Sequence, residues 1–207
     1  MVLLVNPLHA LVRVTALAAI AVMACFPALA QETRIFVDGM GHEVEIPVHP
    51  QRIVSMRGEQ FTAPLIELGA NLIASSGRSD AARDDGATYV RGAYDALDFR
   101  FEGSEITWIG DPNEHDFEAV AAVEPDLILL PDFASDSYDK LALIAPAVVV
   151  NIWELTFIDR YRMVADLAGM SAEFEAGYSL YLERLERAKA TLADAIGDPA
   201  DISIVIA

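Results

Sequence analysis

The sequence has a single cysteine, Cys25. It falls inside the N-terminal stretch read below as a leader, so the processed chain carries no thiol. That excludes disulfides, cysteine-based zinc sites and thiol catalysis. Basic residues are also scarce: 14 Lys and Arg stand against 32 Asp and Glu, a formal net charge of −18. Such a surface repels nucleic acid and anionic lipid headgroups and favours solubility. Beyond the leader the histidines are His42, His49 and His115, with no His-x-x-x-His or other ligand spacing, so they read as surface residues and no metal site is expected. No Gly-x-Ser-x-Gly elbow, P-loop or Gly-x-Gly-x-x-Gly turn occurs, which argues against an enzyme. The acid pairs Asp84 with Asp85 and Glu114 with Asp116 read as ordinary solvated carboxylates. Internal repeats, low-complexity tracts and heptad runs are missing as well.

What is present begins with a secretory leader over residues 1–30. Arg13 precedes an apolar stretch from Val14 to Phe26, and Ala28-Leu29-Ala30 offers small residues for signal peptidase before Gln31. The apolar run is short and Ala-rich for a permanent span. Val22-Met23-Ala24-Cys25 is an imperfect lipobox, which leaves lipidation of Cys25 as a second reading.

After the leader, Arg34 to Val37 and His42 to Ile46 alternate around Asp38-Gly39-Met40-Gly41, the pattern of a small hairpin closed off by Pro47 and Pro50. Strands are expected at Arg52 to Ser55, Asn71 to Ala74, Ile106 to Ile109, Asp126 to Leu130 and Ala147 to Val150. Between them, helices are expected at Glu59 to Leu68 with Gly69 as cap, Phe117 to Val123 and Ser137 to Ile144, with a further one at Thr156 to Ala168. Strands alternating with helices imply an α/β fold whose parallel sheet is covered on both faces. A long helix then runs from Ser171 to about Ile196, with Tyr178, Leu182, Leu185, Ala188, Leu192 and Ile196 as its apolar stripe. Gly197-Asp198-Pro199 ends it, and Ile202 to Ala207 reads as a new strand.

In this order the segments resemble the iron-siderophore/cobalamin class of periplasmic binding proteins. The residues that carry the likeness are Asp38-Gly39 through Ile46-Pro47 to Pro50-Gln51-Arg52-Ile53-Val54, and Leu65-Ile66-Glu67-Leu68-Gly69. They continue with Ile109-Gly110, Asp116-Phe117-Glu118-Ala119-Val120, Glu124-Pro125-Asp126-Leu127-Ile128-Leu129, and Tyr138-Asp139-Lys140-Leu141 before Ile144-Ala145-Pro146. The resemblance implies two α/β lobes joined by one long helix. Residues 31–170 would then be an N-terminal, Rossmann-like lobe flanked by helices, 171–197 the inter-lobe helix and 198–207 the first strand of a second lobe that is missing. Such a chain is expected to be cut short, sticky and, on its own, a poor binder.

Ligands of open α/β sheets bind beyond the carboxyl ends of the strands. Arg57 and Arg78 directly follow two expected strands, and Phe133 and Trp153 follow two more. Six of the 14 basic residues, Arg52, Arg57, Arg78, Arg83, Arg91 and Arg100, fall between positions 52 and 100. The stretch from Gly77 to Glu105 has no clear period and is long for a loop in a compact domain, a mark of function. Candidate ligand-binding residues are therefore Arg57, Arg78, Arg83, Tyr89, Arg91, Tyr94, Phe133 and Trp153. Arginine forks suit anionic chelate oxygens and aromatic rings suit pocket walls. The competing reading makes each arginine a plain ion pair, held by Glu59 or Asp132, and each aromatic a core residue. Trp108, within an expected strand, is assigned to the core.

The resemblance implies a periplasmic solute-binding component of an ABC importer, capturing a ferric siderophore, or a haem- or cobalamin-like chelate. It would be a monomer when complete, with iron arriving only as a chelate and no cofactor of its own. Glu118 matches the position at which the family sets an exposed acid against arginines of the permease. The alternative is a secreted sensor or adaptor lobe without a transport role.

Overall fold

A computed structural model describes residues 31–79 and 86–196 of the chain. The leader with Cys25, Arg83 and the expected strand at Ile202 to Ala207 lie outside the described residues.

The first two strands, β1 (Thr33–Val37) and β2 (Glu43–Pro47), form the expected antiparallel hairpin. Along β2 exposed Glu43 and Glu45 alternate with buried Val44 and Ile46, which enter the core. Arg34 ties it to the later helix α5 (Phe157–Leu167) through an ion pair of 2.6 Å to Asp166.

The central sheet is five-stranded and parallel throughout, with β3 (Ile53–Ser55), β4 (Leu72–Ser75), β7 (Thr107–Trp108), β8 (Leu127–Pro131) and β9 (Ala147–Val150) in the order β7-β4-β3-β8-β9. Strand β8, between β3 and β9, is buried at every residue, so its apolar run does not alternate in polarity; it alternates in destination. Leu127 and Leu129 join Ile53, Phe61, Leu65, Val148 and Val164 on one face, while Ile128 and Leu130 join Val54, Ala74, Val120, Leu141 and Val149 on the other. The first face is covered by β2, by α5 and by α1 (Ala63–Leu68), which the chain enters through a π turn at Gly58–Thr62. The second is covered by α3 (Phe117–Ala122) and α4 (Tyr138–Leu141). Gly69 ends α1 at φ 71°, the left-handed conformation in which glycine carries no Cβ penalty, and its N–H closes back onto Leu65 and Ile66.

Three expectations change. The segment from Gly77 to Glu105 is not structureless. It holds a second hairpin, β5 (Arg78–Ser79) with β6 (Thr88–Tyr89), a single turn α2 (Ala93–Ala96), and a small core of Val90, Ala93, Phe99 and Phe101. Each piece is too short to show a period. The helix expected at Ser137 to Ile144 is only the single turn α4, and a 3-10 segment, Asp132–Ser137, leads into it. Trp108 is not core: β7 is the edge strand, and its indole is 41% exposed while donating to the Gly77 carbonyl at 2.9 Å.

After α5, capped by the Thr156 side chain accepting from Asp159 N–H, the chain turns at Gly169 into α6 (Ser171–Ile196). This 26-residue helix is anchored near its start, where Phe174 is buried and rings of Tyr161, Phe174, Tyr178 and Tyr181 follow one another. No helix among the described residues is long and apolar enough to cross a membrane.

Candidate functional site

All five strands of the central sheet end on the same edge, and the segments that follow them carry most of the candidate residues. Ser55 and Ser75 end the neighbouring strands β3 and β4. Between them Thr62, from the π turn, donates to Ser55 Oγ at 2.8 Å and meets Ser75 Oγ, which reaches the Ser76 carbonyl. These hydroxyls are fully buried, so they bond one another in place of water. The sequence reading missed them, although a hydroxyl at the C-terminal end of two apolar strands was the available signal.

Above this ladder lies a group of charges. Glu59, whose side chain is 12% exposed, accepts from Arg78 through Nε at 3.1 Å and Nη2 at 3.0 Å; Arg91 Nε stands 3.1 Å from the same oxygen and Arg57 Nε 3.3 Å from the other. Arg57 also donates to Gln60 Oε1 at 3.0 Å, and its guanidinium lies 5.1 Å from the centre of the Phe133 ring. Three positive groups thus share one carboxylate, a local excess of positive charge in a strongly acidic protein. The β5–β6 hairpin makes this possible, because Arg78 pairs with Tyr89 across it and Arg91 follows two residues later. Of the two proposed anchors, Glu59 holds the arginines. Among the described residues Asp132 pairs with no arginine, and its Oδ1 is buried without a hydrogen-bond partner.

The other candidates divide. Phe133 is 48% exposed beside Arg57, open to a ligand. Trp153 is 73% exposed, beyond the edge strand β9 and two strands from β3, about 10 Å along the sheet at the usual strand spacing. Tyr89 is buried, so its ring packs inside the protein. Tyr94 belongs to α2, but its side chain is outside the described residues. Glu118 is exposed in the first turn of α3, whose N-cap Asp116 accepts from Ala119 N–H at 2.9 Å.

A cavity of about 440 Å³ adjoins Phe133, lined also by Pro112, Asn113, His115, Phe117 and Lys140. His115 is therefore not a surface residue: it is half-buried, with Nδ1 2.8 Å from Ser137 Oγ and Nε2 unpartnered. Burial, which outweighs the opposing pull of the Pro112 carbonyl, pushes its pKa below the usual histidine value. A larger groove, about 690 Å³, runs between α1, α5 and α6 past Phe157, Tyr161, Phe174 and Tyr181, but no cation and no strand-end residue lines it. Among the described residues no three His, Cys, Asp or Glu side chains gather as a metal ion would require.

Residues 71–204 match the model of a family described as periplasmic binding protein. The chain belongs to that family. Two curated relatives are the ferric enterobactin-binding periplasmic protein FepB of Escherichia coli O6:H1, 29% identical over 146 residues (68% of this chain, 44% of that protein), and the petrobactin-binding protein YclQ of Bacillus subtilis, 27% identical over 70 residues (34% and 22%). The fold matches that of Staphylococcus aureus SirA complexed with staphyloferrin B, with a TM-score of 0.59 and 22% identity over 79% of this chain and 53% of the other. The periplasmic binding protein described here spans half or less of the length of these curated relatives.

Proposed function

We propose that this chain captures a ferric siderophore and hands it to an ABC permease, performing no chemistry on it. The observation that carries this reading is the set of three guanidinium groups on Glu59, bordered by Phe133, at the strand-end rim of a parallel sheet. Ferric siderophores are bulky and often anionic, and guanidinium forks donate to their peripheral oxygens without competing for the iron. The names of the relatives, which bind ferric enterobactin and petrobactin, point the same way. Secretion through a cleaved leader over residues 1–30, and a role for α6 as the helix joining this lobe to a second, belong to the same proposal.

Titration with ferric catecholates, hydroxamates and citrate tests it, read by tryptophan fluorescence and thermal shift. Weak quenching by a ferric chelate is expected from this lobe alone and tight, saturable quenching when a second lobe is supplied, and Arg57→Ala weakens the latter about tenfold or more, the cost of losing one charge-assisted contact. Stabilisation by zinc or manganese alone, with no response to any ferric chelate, overturns the ligand class. Glu118 is proposed as the permease contact of this lobe. In an intact two-lobed version, Glu118→Arg is then expected to leave chelate affinity unchanged while abolishing uptake in cells, and normal uptake removes the assignment. Binding without uptake in the unmutated protein would favour the sensor reading.

A further inference from the structure

Trp153 stands just beyond β9, and the β1–β2 turn is fastened to the outer side of that strand. β9 is an edge strand, and its outer backbone groups need partners. They find them in the β1–β2 turn: Gly39 N–H donates to the Val149 carbonyl at 2.8 Å, and Val149 N–H donates to Asp38 Oδ2 at 3.1 Å. Asp38 is buried, and its other oxygen accepts from Met40 N–H at 2.9 Å and His42 N–H at 2.8 Å, while Oδ2 also meets His42 Nδ1 at 2.9 Å. One carboxylate therefore closes the turn and fastens it to β9.

The contact continues into the rim. Asn151 Nδ2 donates to the Gly39 carbonyl and to Glu154 Oε2, both at 3.1 Å, so the turn that carries Trp153 is tied across its ends and to Gly39. Gly39 has no room for a side chain, because a Cβ there would lie 2.7 Å from Asn151 Oδ1. On its other flank the turn is seated by His42, whose ring stacks on Tyr138 of α4 at 4.0 Å and 11°. Trp153 itself, mostly exposed, has little packing to fix its direction.

We propose that Asp38, Gly39 and Asn151 are positioning residues that set Trp153 as one wall of the ligand rim. The ligand part of this inference rests on the function proposed above. The positional part does not.

The test uses the full chain with Trp108→Phe, which leaves Trp153 as the one reporter of the two tryptophans. Asp38→Asn and, separately, Asn151→Ala are each expected to lower the fluorescence anisotropy of Trp153 in the free protein and to raise its quenching by acrylamide. With ferric enterobactin as probe, each is expected to weaken binding by about three- to tenfold, an effect that disappears when Trp153→Ala is already present. Asn151→Ala leaves the buried carboxylate intact and carries the test if Asp38→Asn fails to fold. Unchanged anisotropy in Asn151→Ala overturns the positioning role. Equal losses of affinity with and without Trp153 overturn its route through the indole. If no ferric chelate binds at all, the proposed function fails, while the anisotropy still decides the positional claim.

Discussion

Glu59 joins three arginines that would otherwise repel one another, and its removal separates two effects. Glu59→Gln keeps the shape but leaves the guanidinium groups unbalanced, at an expected cost of about 1–3 kcal/mol, limited because Arg91 is 60% exposed and screened by solvent. Urea denaturation measures that loss, and added salt is expected to reduce it. Two titrations belong to the same scale. Burial alone would raise the pKa of Asp38, but hydrogen bonds from the His42 side chain and from the backbone of His42, Val149 and Met40 bring it below its ordinary 3.8. The stability it contributes is present above that pH and is lost as pH falls through the lower folded value. His115 is likewise lowered from 6.5, so as pH falls below that the unfolded chain takes up the proton first and stability drops. A thermal melt series from pH 7.5 to about 5 is expected to show this decline, and His115→Gln to flatten it. The sequence made Arg57 and Arg78 legible because both directly follow strands, and it offered Glu59 as their holder. It could not show that Trp108 sits on an edge or that His115 turns inward, since both depend on strand order.

Strand β8 shows what can be read at the level of the element and what cannot. Its uninterrupted apolar run identified a strand covered on both sides, yet only pairing with β3 and β9 decides which side chains go to which face. Leu129→Ala, fully buried against Ile53 and Val148, is expected to cost about 2–5 kcal/mol by denaturation, through lost contacts and a cavity that rigid neighbours cannot refill. The same change at Leu180, which is half exposed on α6, is expected to stay within about 0.5 kcal/mol. The stretch from Gly77 to Glu105 escaped the reading for the opposite reason. Two-residue strands and one-turn helices are shorter than the window over which any period emerges, and its aromatic core of Phe99 and Phe101 is tertiary.

At the scale of the whole molecule the charge is uneven: a net −18 surrounds a rim where arginines cluster. An anionic ligand is therefore repelled at long range and attracted at short range. Screening at 0.15 M salt acts over about 8 Å, so it removes the distant repulsion before the local attraction. Moderate salt is expected to speed association of an anionic ferric chelate while changing its dissociation little, which stopped-flow fluorescence can separate.

The long helix α6 is held by its first turns, where Phe174 is buried among Tyr161 and Tyr178, and most of its remaining residues face solvent. At 1.5 Å per residue its 26 residues reach about 39 Å. A rod gripped at one end acts as a pointer: a tilt of about 5° at the aromatic grip moves the tip by about 3 Å. Substitutions at Phe174 would thus register most strongly far from where they are made, in the sweep of a spin label near Lys189.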